Sequence, residues 1–161
     1  MKRSFITLTP ILAFFLLTAL SCADNEPFTN IKSIEFQIYN EIKSHRINNG
    51  ISSEDLFAHQ PIMVKEAQFF SAKLSFSSTG LDTTGISLHW DVIHDKIGGY
   101  NDLTLIQSTS STSATEIVAN WTIDSTTNAM ILKDYSQCGV GVEYGSDQVA
   151  YVTVLMMKVD S

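Results

Sequence analysis

Gln148 to Val159 reads QVAYVTVLMMKV. Strand residues alternate between the two faces of a sheet. Here Val149, Tyr151, Leu155 and Met157 fall on one face, and Ala150, Val152, Val154 and Met156 on the other. A strand that is apolar on both sides needs cover above and below. The same period-2 character precedes it in Tyr135 to Tyr144, which contains Gly139-Val140-Gly141-Val142, and Gly145-Ser146-Asp147 between the two predicts a hairpin. The cover must come from upstream, so the fold class expected is α+β: a three-layer α-β-α sandwich on a small, mostly antiparallel sheet.

The upstream helices are legible from 3.6-residue spacing. Ile34, Ile38 and Ile42 predict a first helix over 31–48, stopped by Asn48-Asn49-Gly50, with Lys32, Glu35, Glu41 and His45 expected on its wet side. Leu56 and Phe57 are expected to plug the core. Pro61 opens a second helix to about Leu74, with Met63, Ala67, Phe70 and Leu74 buried and Phe69 widening the stripe. Ile86, Trp90, Ile93 and Ile97 predict a third, ended by Gly98-Gly99. Ser113-x-x-Glu116 is a capping box before Ile117, Val118 and Trp121. A polar turn is expected to follow. Residues 75–85, dense in Ser, Thr and Gly, and the low-complexity run 108–113 (STSSTS) read as loops.

Residues 1–21 read as an export leader. Lys2 and Arg3 precede the apolar run Ile11–Leu20, which is of signal-peptide length. The run ends at Ala19-Leu20-Ser21-Cys22, which resembles a bacterial lipobox, although Ala19 stands where Leu, Val or Ile is usual. The resemblance implies acylation of Cys22 and a mature chain that begins there, anchored in the lipid bilayer. Ala23 in place of Asp favours the outer membrane by likeness to enteric sorting. Residues 22–30 then form a tether and 31–161 the domain. Without Lys2 and Arg3 the chain carries 8 basic against 17 acidic side chains, which argues against nucleic acid as a partner.

The ordered series of motifs resembles the CAP or SCP superfamily, the cysteine-rich secretory, antigen 5 and pathogenesis-related 1 proteins with their bacterial relatives. Arg46-Ile47-Asn48-Asn49-Gly50 is similar to the family's opening N…R…G, and Met63-x-x-x-Ala67-Gln68-x-Phe70-Ser71 to its second-helix pattern. Gly99-Tyr100, Trp121, Ala129 to Leu132 and Tyr135 to Val142 follow in family order. The resemblance covers about residues 31–157. It implies a CAP-like sandwich whose central cavity, in relatives, holds a divalent ion on His and Glu side chains.

Carried onto this chain, that set is depleted. The first family His falls on Asp82, or on His89 with a different gap. The Glu-bearing triplet falls on Thr104-Leu105-Ile106, with Asp102 nearby. The second His falls on Thr127. Asp82, His89, Thr127 and Glu116 are therefore the candidate cavity residues, with no metal, no cofactor and no catalytic set expected. Asp91 and Asp95 share a face at i, i+4 but read as solvated, and Cys138 reads as an inert core thiol. The expectation is a membrane-tethered, non-catalytic binding module of the cell envelope that takes a protein or an apolar ligand in its groove. The alternatives are a hydrolase or metal-binding protein using His89 with Asp102 or Glu116, and a lipid binder.

Overall fold

The computed structural model describes residues 30–51, 58–77, 85–110 and 113–159. The leader, most of the tether, Leu56, Phe57 and Asp82 lie outside these residues. The elements, in order, are α1 (Ser33–Asn48), β1 (Ala58–His59), α2 (Pro61–Phe76), α3 (Ile86–Ile97), β2 (Tyr100–Ser110), α4 (Ala114–Ile123), α5 (Ser125–Ile131), β3 (Gln137–Tyr144) and β4 (Ala150–Val159). The sheet order is β1-β3-β4-β2, with only the β1–β3 pair parallel.

β4 is the centre of the sheet, and its two faces sort as the sequence requires. Ala150, Val152, Val154 and Met156 pack with Ile38, Ile42, Ile117 and Trp121 of α1 and α4. Leu155 and Met157 pack with Met63, Ala67, Trp90 and Ile93 of α2 and α3. The protein is thus an α+β three-layer sandwich with a small, mostly antiparallel sheet.

β3 explains its own glycines. Val140, Val142 and Cys138 face α1 and α4, while Gly139 and Gly141 face α2. A Cβ on Gly139 would stand 2.2 Å from the backbone carbon of Met63, and one on Gly141 would stand 2.2 Å from the backbone of Ala67 and Gln68. α2 therefore lies directly on the strand, and Ser71 Oγ donates to Gly141 O at 2.8 Å.

β1 pairs with β3 only at Gln137 and Cys138. Beyond that point the outer edge of β3 is served by side chains. Val140 N donates to His59 Nε2 at 3.4 Å and Val142 N to Glu35 Oε1 at 3.0 Å, while Lys32 Nζ donates to Val142 O. Glu35 is fully buried, which corrects the expectation of a wet position. Its carboxylate also accepts from Lys32 N at 2.7 Å and from Gln68 Nε2 at 2.9 Å. One acid so joins the start of α1, the middle of α2 and the edge of β3. Lys32 in turn reaches Glu143 at 2.9 Å.

Arg46, at the other end of α1, is also buried. Its guanidinium donates to the carbonyls of Ile131, Lys133 and Tyr135 at 2.6, 2.6 and 2.8 Å. It holds the segment that turns from α5 into β3 by its backbone carbonyls, of which that of Lys133 also accepts from Tyr135 N at 2.8 Å.

Three segments differ from the sequence reading. Ser108–Ser110 are the end of β2, paired with Val152, Tyr151 and Ala150 of β4. A long apolar partner strand decides the matter over local composition. The expected polar turn after α4 contains α5, whose N-cap is Asp124, accepting from Thr127 N at 2.7 Å. Ser75 and Phe76 complete α2 rather than begin a loop.

Candidate functional site

Of the candidate cavity residues, the three that are described, His89, Glu116 and Thr127, do not meet. α3 lies with α2 on one face of the sheet, and α4 and α5 lie on the other. His89 is therefore separated by the sheet from Glu116 and Thr127. Glu116 is exposed and closes the capping box of α4, accepting from Ser113 N at 3.1 Å. Thr127 sits in the first turn of α5, its amide taken by Asp124, whose carboxyl is held below the usual range by that bond. Asp102 is ion-paired with Lys133 at 3.1 Å. Among the described residues no three His, Cys, Asp or Glu side chains form a group able to hold a metal ion.

His89 has a partner that the spacing did not single out. Its Nδ1 makes a short contact with Glu66 Oε2 of α2. The imidazole is stacked on Phe69 (centroids 4.5 Å apart) and set against the edge of Phe70 at 4.7 Å. Phe69 is half exposed, so it shelters His89 rather than widening the buried stripe of α2. The signal for the pair was present in Glu66 lying one turn before Phe70, but only the α2–α3 contact gives it meaning.

The second feature is a cleft of about 200 Å³ between α1 and α4. Six of its lining residues are polar, Glu41, Ser44, His45, Asn48, Thr115 and Thr122, and they share it with Val118 and Ala119, so that polar and apolar surface are about equal in it. Thr115 Oγ1 donates to Glu41 at 2.9 Å, and His45 Nε2 meets Asn128 Oδ1 at 2.8 Å. Glu41 and His45 thus form a wall rather than a free wet face. The cleft is below the size usual for drug-sized ligands and is more polar than such pockets are.

His59 belongs to β1 and stacks on Tyr39 at 4.6 Å. Because Nε2 accepts from Val140 N, the proton sits on Nδ1, which is buried without a hydrogen-bond partner among the described residues. Burial lowers this imidazole to about 4. Cys138 is fully buried, and burial pushes its thiol up, as befits an inert core position.

No family model matches the sequence, and no curated protein matches it. In fold the chain is similar to an outer surface protein from Borrelia burgdorferi, with a TM-score of 0.62 at 16% identity, over 81% of this chain and 96% of that chain. At that identity the likeness is one of architecture.

Proposed function

We propose that this chain is a lipid-anchored CAP/SCP-like domain of the bacterial cell envelope that binds a partner rather than performing catalysis. The observation that carries the reading is the separation of His89 from Glu116 and Thr127 by the sheet, so that these three described candidates do not converge on one cavity. The lipobox-like Cys22 supports the anchor, and the likeness to an outer surface protein supports an extracytoplasmic, surface location. The small polar cleft between α1 and α4 favours a protein partner over a sterol or a fatty acid. The test is fatty-acid labelling of the chain and of Cys22→Ser, with elemental analysis and lipid extraction of the purified protein. Label lost in Cys22→Ser, no stoichiometric zinc and a lipid-free extract are expected. One tightly held ion per chain, or a stoichiometric co-purifying lipid, overturns the binding-module reading.

A second reading, a cell-envelope hydrolase, is favoured by one contact. Glu66 fixes Nδ1 of His89 and thereby leaves Nε2 as the nitrogen able to take a proton. His89→Ala abolishes activity on cell-wall or peptide substrates if this reading holds and changes nothing if it does not.

A further inference from the structure

α2 and α3 share one layer but are held to the sheet very differently. α2 lies on β3 at Gly139 and Gly141 and is tied to it through Ser71, and seven of its 16 residues are buried. α3 buries two of its 12, Trp90 and Ile93, with Ile86 and Ile97 packed only partly against the same cluster. An element with so few buried apolar groups opens at a lower cost than the fold as a whole. A free helix of this length is marginal in water, so α3 owes its helical form to what it rests on.

Both ends of α3 are built to turn. Gly85 precedes it with φ +81°, and Gly98 follows it with φ +111° and ψ −172°. The second combination is essentially confined to glycine. Among the described residues nothing comes within 4 Å of a Cβ built at either position, so backbone conformation rather than crowding requires glycine there. Hinges are a few element-terminal residues of this kind that absorb large changes in φ and ψ.

Between the hinges lies a fastening. Glu66 of α2 is buried, its Oε2 in contact with His89 Nδ1 of α3, and Phe69 and Phe70 close on the imidazole. A buried carboxylate is costly without such a partner. When α3 lifts, water reaches both groups, so the contact favours the closed form without forbidding the open one. Beneath α3 lie Met63, Leu155 and Met157, carried by α2 and β4 and almost fully buried. These elements are held by the sheet itself and stay in place when α3 leaves.

We infer that α3 is a hinged flap. It swings on Gly85 and Gly98, is latched by His89 on Glu66, and opens without the rest of the fold to uncover the apolar floor of Met63, Leu155 and Met157. The test uses the full chain carrying Ile93→Cys, which puts a thiol on the underside of the flap. Cys138, fully buried in the opposite layer, is the internal standard. Iodoacetamide alkylation at each site is read by peptide mass spectrometry, which keeps Cys22 apart, and each rate is divided by its own rate in urea. Position 93 should react at least about 100-fold faster than Cys138, as expected for local against global opening. Glu66→Gln removes the latch and Gly98→Ala strains the closed backbone, so each should speed position 93 by about tenfold. Arg46→Lys weakens contacts that the open form keeps. It should therefore speed Cys138 and leave position 93 unchanged. Equal rates at the two sites, or rates that rise together in Arg46→Lys, overturn the flap, because position 93 is then reached only by global unfolding. No response to either Glu66→Gln or Gly98→Ala overturns it as well. Should Ile93→Cys fail to fold, amide hydrogen exchange of the parent chain and of Arg46→Lys decides the matter. α3 amides at least about 100-fold less protected than those of β4, and unmoved by Arg46→Lys, support the flap, and equal protection overturns it.

Discussion

Gly141→Ala isolates the contact on which the upper layer is built. An added methyl would begin 2.2 Å from the backbone of Ala67 and Gln68, against an ordinary contact of about 3.4–4 Å. Backbone atoms of a 16-residue helix do not rotate aside as a side chain does, so α2 must retreat by more than about 1 Å. That retreat loosens Met63 and Ala67 from the sheet and stretches the Ser71–Gly141 and Gln68–Glu35 bonds. Overpacking usually costs about 1–3 kcal/mol. With two buried hydrogen bonds weakened as well, at about 1 kcal/mol each, the expected loss is about 3–5 kcal/mol. A control separates sterics from backbone freedom. Gly50 has a left-handed φ of +84° but open space around its Cβ position. Gly50→Ala should cost only the conformational penalty, about 1 kcal/mol. Urea unfolding followed by far-UV circular dichroism measures both. At about 3–5 °C per kcal/mol, Gly141→Ala should lower Tm by about 10 °C or more, if it folds at all. A Gly141→Ala protein as stable as Gly50→Ala would refute the claim that α2 lies directly on β3.

Glu35→Ala should cost about 3–5 kcal/mol in the same assay, because it strands the amides of Lys32 and Val142 and the Gln68 side chain, whereas Glu143→Ala, which removes one exposed ion pair, should cost under about 1 kcal/mol. Arg46→Lys should lose about 2 kcal/mol or more, since an ammonium does not span the three carbonyls that the guanidinium fork reaches; an Arg46→Lys protein with parental stability counts against the clamp. His59 is neutral in the fold, with a pKa of about 4 against about 6.5 unfolded, so its contribution is present above pH 6.5 and is lost as pH falls toward 4. With the water that reaches the ring allowed for, this is worth about 1–2 kcal/mol, and the pH 7 to pH 4.5 stability difference should shrink by that much in His59→Gln. Cys138 should resist a thiol reagent in the native protein and react at an ordinary rate in urea; equal rates would place it nearer the surface than the core.

What could be read in the sequence follows from where the determining forces are local. The capping box at Ser113 and Glu116, the proline that opens α2 and the two-sided apolar pattern of β4 each carry their cause within a few residues. β2 was not legible, because Ser108, Thr109 and Ser110 become strand only through β4 lying beside them. Glu35 was misread for a related reason. On a helical wheel it is a charged residue at a first turn, and only the approach of Gln68 and the unpaired amide of Val142 make its burial tolerable. The pairing of His89 with Glu66 likewise depends on how α3 crosses α2, which no spacing within either helix encodes.

Among the described residues the sheet is occupied by side chains along one margin past Cys138 and has no neighbouring strand along the other. Past Cys138, an incoming peptide seeking to lengthen the ladder at β3 meets an imidazole, a carboxylate and an ammonium already seated on the groups it needs. At the opposite margin β2 offers 11 residues with no further strand beside them among those described. Among the described residues β2 is therefore the long open margin, the edge at which an added strand could extend this sheet and at which copies crowded side by side could stick to each other.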